Sequence, residues 1–280
     1  MADKSPVLAR PHIPKASTRL EEASAAIADI REQLDTTRLA GVMLCCSTAY
    51  DFEALGPAIA GSFNCPVFAL STEGELHFGH DQHSIIGLGF PASLFDVLAV
   101  HAWPVNQTEA AAAALKMHNG GRLDHGQHFA LVGFDGQAYQ SKAFHTLATT
   151  FDQLAFAGGA AGDVDGKGYV YAAGQFTPGY ASCIVLASRV PFDVFSVDIQ
   201  GEDPHGLDYQ LLQEYLKQRM PDILFSLGFE EVGYRGRIVV SDFTIEDALN
   251  ALNMSGFSTN MQFYGKNSRV RGISGLVFGA

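Results

Sequence analysis

Positive charge, cysteine and long apolar runs are all scarce in this 280-residue sequence. Only 18 Lys and Arg stand against 30 Asp and Glu, for a formal net charge of -12 at pH 7. No Lys/Arg cluster gathers anywhere, so a phosphate backbone is repelled and nucleic acid is not an expected partner. The same acidity disfavours anionic lipid surfaces. No stretch approaches the roughly 20 apolar residues that cross a bilayer, and membrane insertion is not expected. Residues 1–15 are polar and carry Pro6, Pro11 and Pro14 without the apolar core or cleavage site of a secretory signal, so export is not expected either. Of the 4 cysteines, Cys45 and Cys46 are adjacent in an apolar stretch while Cys65 and Cys183 stand alone. That pattern offers neither a disulfide framework nor a CxxC ligand pair, and fits a reducing cytoplasm. Three nucleotide and nucleophile signatures are also missing: the Lys-Ser/Thr of a P-loop, the GxGxxG of a dinucleotide fold and the GxSxG elbow of a serine hydrolase.

What is present describes a folded chain. Hydrophobic residues make up 47% and charged residues 17%, with 29 glycines. The length lies near the roughly 250–300 residues at which single cores stop growing, which predicts two lobes. Leu20, Ala23, Ile27, Ile30 and Leu34 recur at spacings of three and four, predicting a helix with a Thr18/Glu21 capping box. Short apolar runs at 40–46, 66–70, 85–90, 95–102 and 129–134 read as strands. Residues 52–60, the alanine-rich 109–117, and 140–151 with Phe144, Leu147 and Phe151 inward read as helices. Strands follow over 169–173 and 181–187, joined by a hairpin loop at 175–179, and over 192–199. A turn-rich linker is expected at 201–206, then helices at 207–219 and from Thr244 and Asp247 to Leu252, a strand at 237–240 and a closing strand at 272–278. This alternation predicts a mixed α/β (α+β) fold of layered mixed β-sheets flanked by helices, in two lobes.

Three segments then stand out. Leu70-Ser71-Thr72-Glu73-Gly74-Glu75 leaves the second strand, and hydroxyls and backbone N–H groups at such a glycine turn can converge on a small polar ligand. The alternative is a strand-to-loop turn with self-capping hydroxyls. Gly158-Gly159-Ala160-Ala161-Gly162-Asp163 follows a second apolar run, and Gly256-Phe257-Ser258-Thr259-Asn260 with Gln262-Phe263-Tyr264-Gly265 stands near the end. Together they resemble the intracellular sensory proteins of the FIST family, whose N-terminal domain shows a Ser-Thr-x-Gly-Glu turn and a Gly-Gly-x-x-Gly-Asp segment. The last segment is similar to the end of the C-terminal FIST domain, but Asn260-Met261-Gln262 replaces the Tyr-Gly-Glu usual there, so that carboxylate is missing.

The resemblance implies a short tail at 1–16, an N-terminal sensory domain at 17–200 and a shortened C-terminal domain at 207–280. It implies an intracellular, non-enzymatic sensor that binds a small ligand and passes its state to a histidine kinase, another signalling protein or a cyclic-dinucleotide enzyme. The site residues it implies are Ser71, Thr72, Gly74, Glu75, Gly159, Ala160, Gly162 and Asp163. One branch of the family binds haem and senses nitric oxide, which makes haem a candidate cofactor.

Histidines supply the metal and haem candidates. His77, His80 and His83 lie three apart after the first segment, and imidazole is the commonest side-chain metal ligand, although an irregular loop there leaves the geometry open. His101 beside Trp103 and His145 between Phe144 and Leu147 are core histidines or axial haem ligands. Asp124, His125 and His128 sit among Gly120, Gly121 and Gly126 and read as a solvated loop. A hydrolase or transferase is the remaining alternative, with Cys46 as nucleophile or Asp163 paired with Glu73 or Glu75.

Overall fold

A computed structural model describes residues 13–72, 74–76, 80–81, 83–118, 121–135, 140–164 and 167–197, together with seven short strands between 223 and 278. The elements of the first part are β1 (Lys15–Thr18), α1 (Ala23–Leu34), β2 (Leu39–Ser47), α2 (Phe52–Ser62), β3 (Val67–Thr72), β4 (Gly74–Leu76), β5 (His80–Asp81), β6 (Ile85–Pro91), β7 (Phe95–Pro104), α3 (Thr108–His118), β8 (His128–Phe134), α4 (Gln140–Thr150), β9 (Ala155–Ala160), β10 (Asp163–Val164), β11 (Lys167–Ala172), β12 (Gln175–Pro178), β13 (Tyr180–Ser188) and β14 (Phe192–Val197). The later strands are β15 (Ile223–Leu224), β16 (Val239–Val240), β17 (Phe243–Thr244), β18 (Gly256–Ser258), β19 (Gln262–Tyr264), β20 (Asn267–Arg269) and β21 (Ile273–Phe278).

Among the described residues, two mixed sheets dominate. The first runs β1-β6-β2-β3-β11-β10 with β12 beside β11, and the second runs β20-β19-β9-β8-β13-β7. Residue alternation assigns each side chain to a layer, because successive strand residues point to opposite faces. On β2, Met43 and Cys45 join the cluster between the sheets while Val42, Leu44 and Cys46 pack with α1 and α2. On β8, Phe129 and Leu131 face the first sheet while Ala130, Val132 and Phe134 pack under α3 and α4. The result is helices, sheet, sheet, helices. Strands buried on both faces read as continuous apolar runs, which is why β2, β3 and β8 were visible in the sequence.

Several expectations are corrected. Residues 13–16, expected to belong to the tail, are part of the fold: Ile13 is 1% exposed in the core, and Lys15–Thr18 pairs with β6 as an edge strand. With Thr18 committed to that strand, the cap of α1 is Glu22, whose carboxylate accepts from Ser24 N at 2.9 Å and Ala25 N at 2.7 Å. Leu20 is left 48% exposed before the helix. The loop expected at 175–179 contains β12, paired with β11 through a two-residue turn in which Ala173 (φ 51°) and Gly174 (φ 90°) both take positive φ. β13 then joins the other sheet, so 169–173 and 181–187 are not hairpin partners. Thr244 lies in β17, not at a helix cap. The linker at 201–206 and the helices expected at 207–219 and 247–252 lie outside the described residues.

Candidate functional site

Ser71 and Thr72 end β3, which runs parallel to β2, and neither is measurably exposed. The Ser71 hydroxyl donates to Gly162 O at 2.7 Å and accepts from Tyr169 N at 2.9 Å, while Gly162 N donates back to Ser71 O at 2.6 Å. This three-bond clip joins segments about 90 residues apart in sequence. Gly162 stands where the chain changes layers, because β9 belongs to the second sheet and β10 pairs with β11 on the first. Ala161 N holds the crossing from the other side through Phe134 O at 2.7 Å.

The glycines on the way in are structural necessities. Gly158 has φ 149°, and a Cβ there would lie 1.9 Å from Val132 O. No other residue fits that approach. Gly158 and Gly159 thus belong to strand β9. Asp135 braces the same corner, accepting from Gly168 N at 2.7 Å and from Gly179 N.

The C-terminal strands arrive at both signatures. β18 pairs with β4 in the register Gly256↔Leu76, Phe257↔Glu75 and Ser258↔Gly74. β19 pairs with β9 in the register Gln262↔Gly159, Phe263↔Gly158 and Tyr264↔Ala157. All three segments singled out in the sequence therefore meet through backbone pairing and the Ser71 clip.

The FIST N domain family model matches residues 40–223, more than half of the sequence. The chain belongs to the FIST family. No curated protein matches it. FIST domains are sensory domains of signal transduction. The matched range contains the Ser71 and Gly162 segments and stops before β18 to β21, so strands beyond it pair with the FIST signatures. Among the described residues, no helix is long and apolar enough to cross a membrane.

Of the expected ligand residues, Ser71, Thr72, Gly159, Ala160 and Gly162 are brought together and buried. Gly74 and Glu75 lie in β4, and Asp163 opens β10 opposite Gly168. Among the histidines, His77 lies outside the described residues, His80 belongs to β5 and His83 is exposed. His101 is half-buried on β7, stacked on Trp103 with ring centroids 5.6 Å apart. Burial and the neighbouring His118 charge push its pKa below the ordinary value. His145 is exposed on α4. Among the described residues, no three His, Cys, Asp or Glu side chains group as metal ligands.

Cys46 packs in the helix-facing core at 0% exposure, without the accessible thiolate that nucleophilic catalysis needs. Cys183 is equally buried, and its pKa is pushed up to about 12. The Asp124 loop is exposed at His125 and Gln127, and the Asp124 carboxylate ties it to the backbone of 152–154. Burial works to raise the Asp124 pKa, but backbone N–H donors from Gln153, Asp152 and Leu154 and the Lys116 charge outweigh it and hold the carboxyl below its usual range.

Ser182 and Asp135 were missed in the sequence. Ser182, in an apolar strand, has its Oγ buried without a hydrogen-bond partner, the one such side-chain atom among the described residues. It lies in one transverse row with Gly133, Gly159 and Gln262. Only its register in the assembled sheet sets it apart.

Proposed function

We propose that this FIST protein is a small-ligand sensor whose ligand is held at the junction of the Ser71–Glu75 turn and the Gly159–Asp163 crossover. The observation that carries this reading is the reciprocal Ser71–Gly162 hydrogen bonding, which places both signatures at one corner of the sandwich. The buried hydroxyl of Ser71 acts as the frame of the site, because its one donor and one of its two acceptor positions are already used. Recognition then falls to Glu75, Asp163 and the backbone groups around them. A ligand changes a signalling state through its differential affinity for two arrangements of the protein, and a cytoplasmic partner such as a histidine kinase or cyclic-dinucleotide enzyme reads the result.

Thermal-shift screening of the full chain against polar metabolites and haem tests the proposal. A compound at 100 times its Kd stabilises by about 2.7 kcal/mol, which is roughly a 5–10 °C rise in Tm. That rise is expected to vanish in Glu75→Gln or Asp163→Asn. A rise that persists in both variants places binding elsewhere and overturns the reading.

A further inference from the structure

Strand β13 sends its side chains into two different layers. Ala181, Cys183 and Val185 pack in the helix-facing core, while Ile184 and Leu186 join the core between the sheets. By that alternation Ser182 faces the layer between the sheets. It is 3% exposed, and its Oγ has no hydrogen-bond partner. Its register partners are Ala102 of β7 on one side and Gly133 of β8 on the other. Packing accounts for Gly133, since a Cβ there would lie 3.3 Å from Phe68 Cζ. Packing does not account for Ser182, because alanine would occupy the same layer without burying an unpaired hydroxyl.

The row that holds Ser182 leads outward to solvent. Among the described residues β7 is the last strand of the second sheet. Val100 and Ala102 stand opposite Ile184 and Ser182, so both belong to the inner face of that strand. Ala102 is nevertheless half-buried and Val100 is 46% exposed, so the first sheet leaves this margin of the inner face uncovered. The unpaired hydroxyl therefore lies one strand spacing, about 5 Å, behind a partly exposed apolar ledge.

We propose that this margin binds a compact, neutral organic molecule, which lays an apolar body on Val100 and Ala102 and hydrogen-bonds Ser182 through a hydroxyl, carbonyl or amide group. The serine hydroxyl can answer either a donor or an acceptor on such a molecule. An ionised group is unsuited to the place. Ile184 and Leu131 flank it with hydrocarbon, and the nearby Asp135 carboxylate is already engaged by Gly168 N and Gly179 N. A buried water typically holds about three hydrogen bonds, and an apolar ledge supplies none of them. A hydroxyl that weakens the fold where it stands has the character of a residue kept for binding. Ser182 is two strands away from Gly159, and the site uses neither Glu75 nor Asp163, so it does not rest on the sensory reading above.

Two measurements on the full chain test it. In Ser182→Cys the new thiol is expected to react with methyl methanethiosulfonate, a compact neutral reagent, at least about tenfold faster than two buried cysteines. These are Cys183, on the other face of the same strand, and Cys45, in the layer between the sheets, and peptide mass spectrometry reads all three rates. A rate no faster than theirs overturns the proposal. Saturation-transfer NMR with n-butanol, cyclohexanol, phenol and N-methylacetamide is expected to show saturable binding that weakens about three- to tenfold in Ser182→Ala and is unchanged in Glu75→Gln. The urea midpoint of Ser182→Ala, expected to hold or rise, separates lost binding from lost folding. Silence from all four probes, or equal affinity in the parent and Ser182→Ala, overturns the site. A loss seen in Glu75→Gln instead assigns the probes to the Ser71–Glu75 corner and overturns it as well.

Discussion

Replacing Ser71 by alanine removes one oxygen and strands two backbone groups. Gly162 C=O loses its 2.7 Å donor and Tyr169 N–H loses its 2.9 Å acceptor, at a position with 0% exposure. A buried group left without its partner costs about 1–3 kcal/mol, and the remaining Gly162 N–Ser71 O bond still holds part of the corner. The expected loss is therefore about 2–4 kcal/mol for the pair. The matched control is Ser182→Ala, which deletes a buried hydroxyl that has no partner. Burying such a hydroxyl costs about 1–3 kcal/mol by mutational measures, so its removal is expected to be neutral or stabilising. Urea unfolding followed by far-ultraviolet circular dichroism, with the slope m held common to both variants and the parent, gives the two values directly. Equal losses in the two serine variants, or a loss under about 0.5 kcal/mol for Ser71→Ala, refute the clip.

Two more outcomes follow from the geometry. Gly158→Ala combines a positive φ with a methyl 1.9 Å from a backbone oxygen, and is expected to cost more than about 3 kcal/mol or to yield no soluble folded protein, as soluble yield and urea midpoint will show. His101 has a depressed pKa in the fold, so its contribution to stability is present above the unfolded value of about 6.5 and is lost as pH falls toward the folded value. Because it stacks on the chain's single tryptophan, emission from Trp103 is expected to titrate below pH 6.5, with His118 contributing through its charge, and to stop titrating in His101→Phe. A titration unchanged in that variant assigns the signal to another group.

Much of the layer structure was legible because burial on both faces leaves a plain mark. Met43, Cys45, Val42, Leu44 and Cys46 serve two cores at once, so the strand shows no polar alternation. The helices were legible through their single apolar stripe, as with Ile27, Ile30 and Leu34 on α1. What failed was local chemistry decided by distant partners. Thr18 has the composition of a helix cap, but the edge of β6 claims it for β1. Gly158 bears no local mark of a strand, but the backbone of Val132 makes glycine the residue required there. The turn at Ala173 and Gly174 lacks the Asn-Gly or Asp-Gly signal of its type, so β12 was read as the loop it follows. The signature residues were legible from their resemblance. Their meeting with Gly256–Ser258 and Gln262–Tyr264 was not, since strand pairing across such a separation has no local trace.

The burial of Leu276 and Phe278 between the sheets has a consequence for how the protein is made. Phe95 and Phe129 are translated long before the ring that packs edge-on against both of them. On a growing chain the two sheets face each other with part of their filling still inside the ribosome. Contacts between residues so far apart in sequence carry a loop-closure cost and form late. The sandwich is therefore completed only after residue 278 has emerged, and until then its apolar inner faces remain accessible to chaperones.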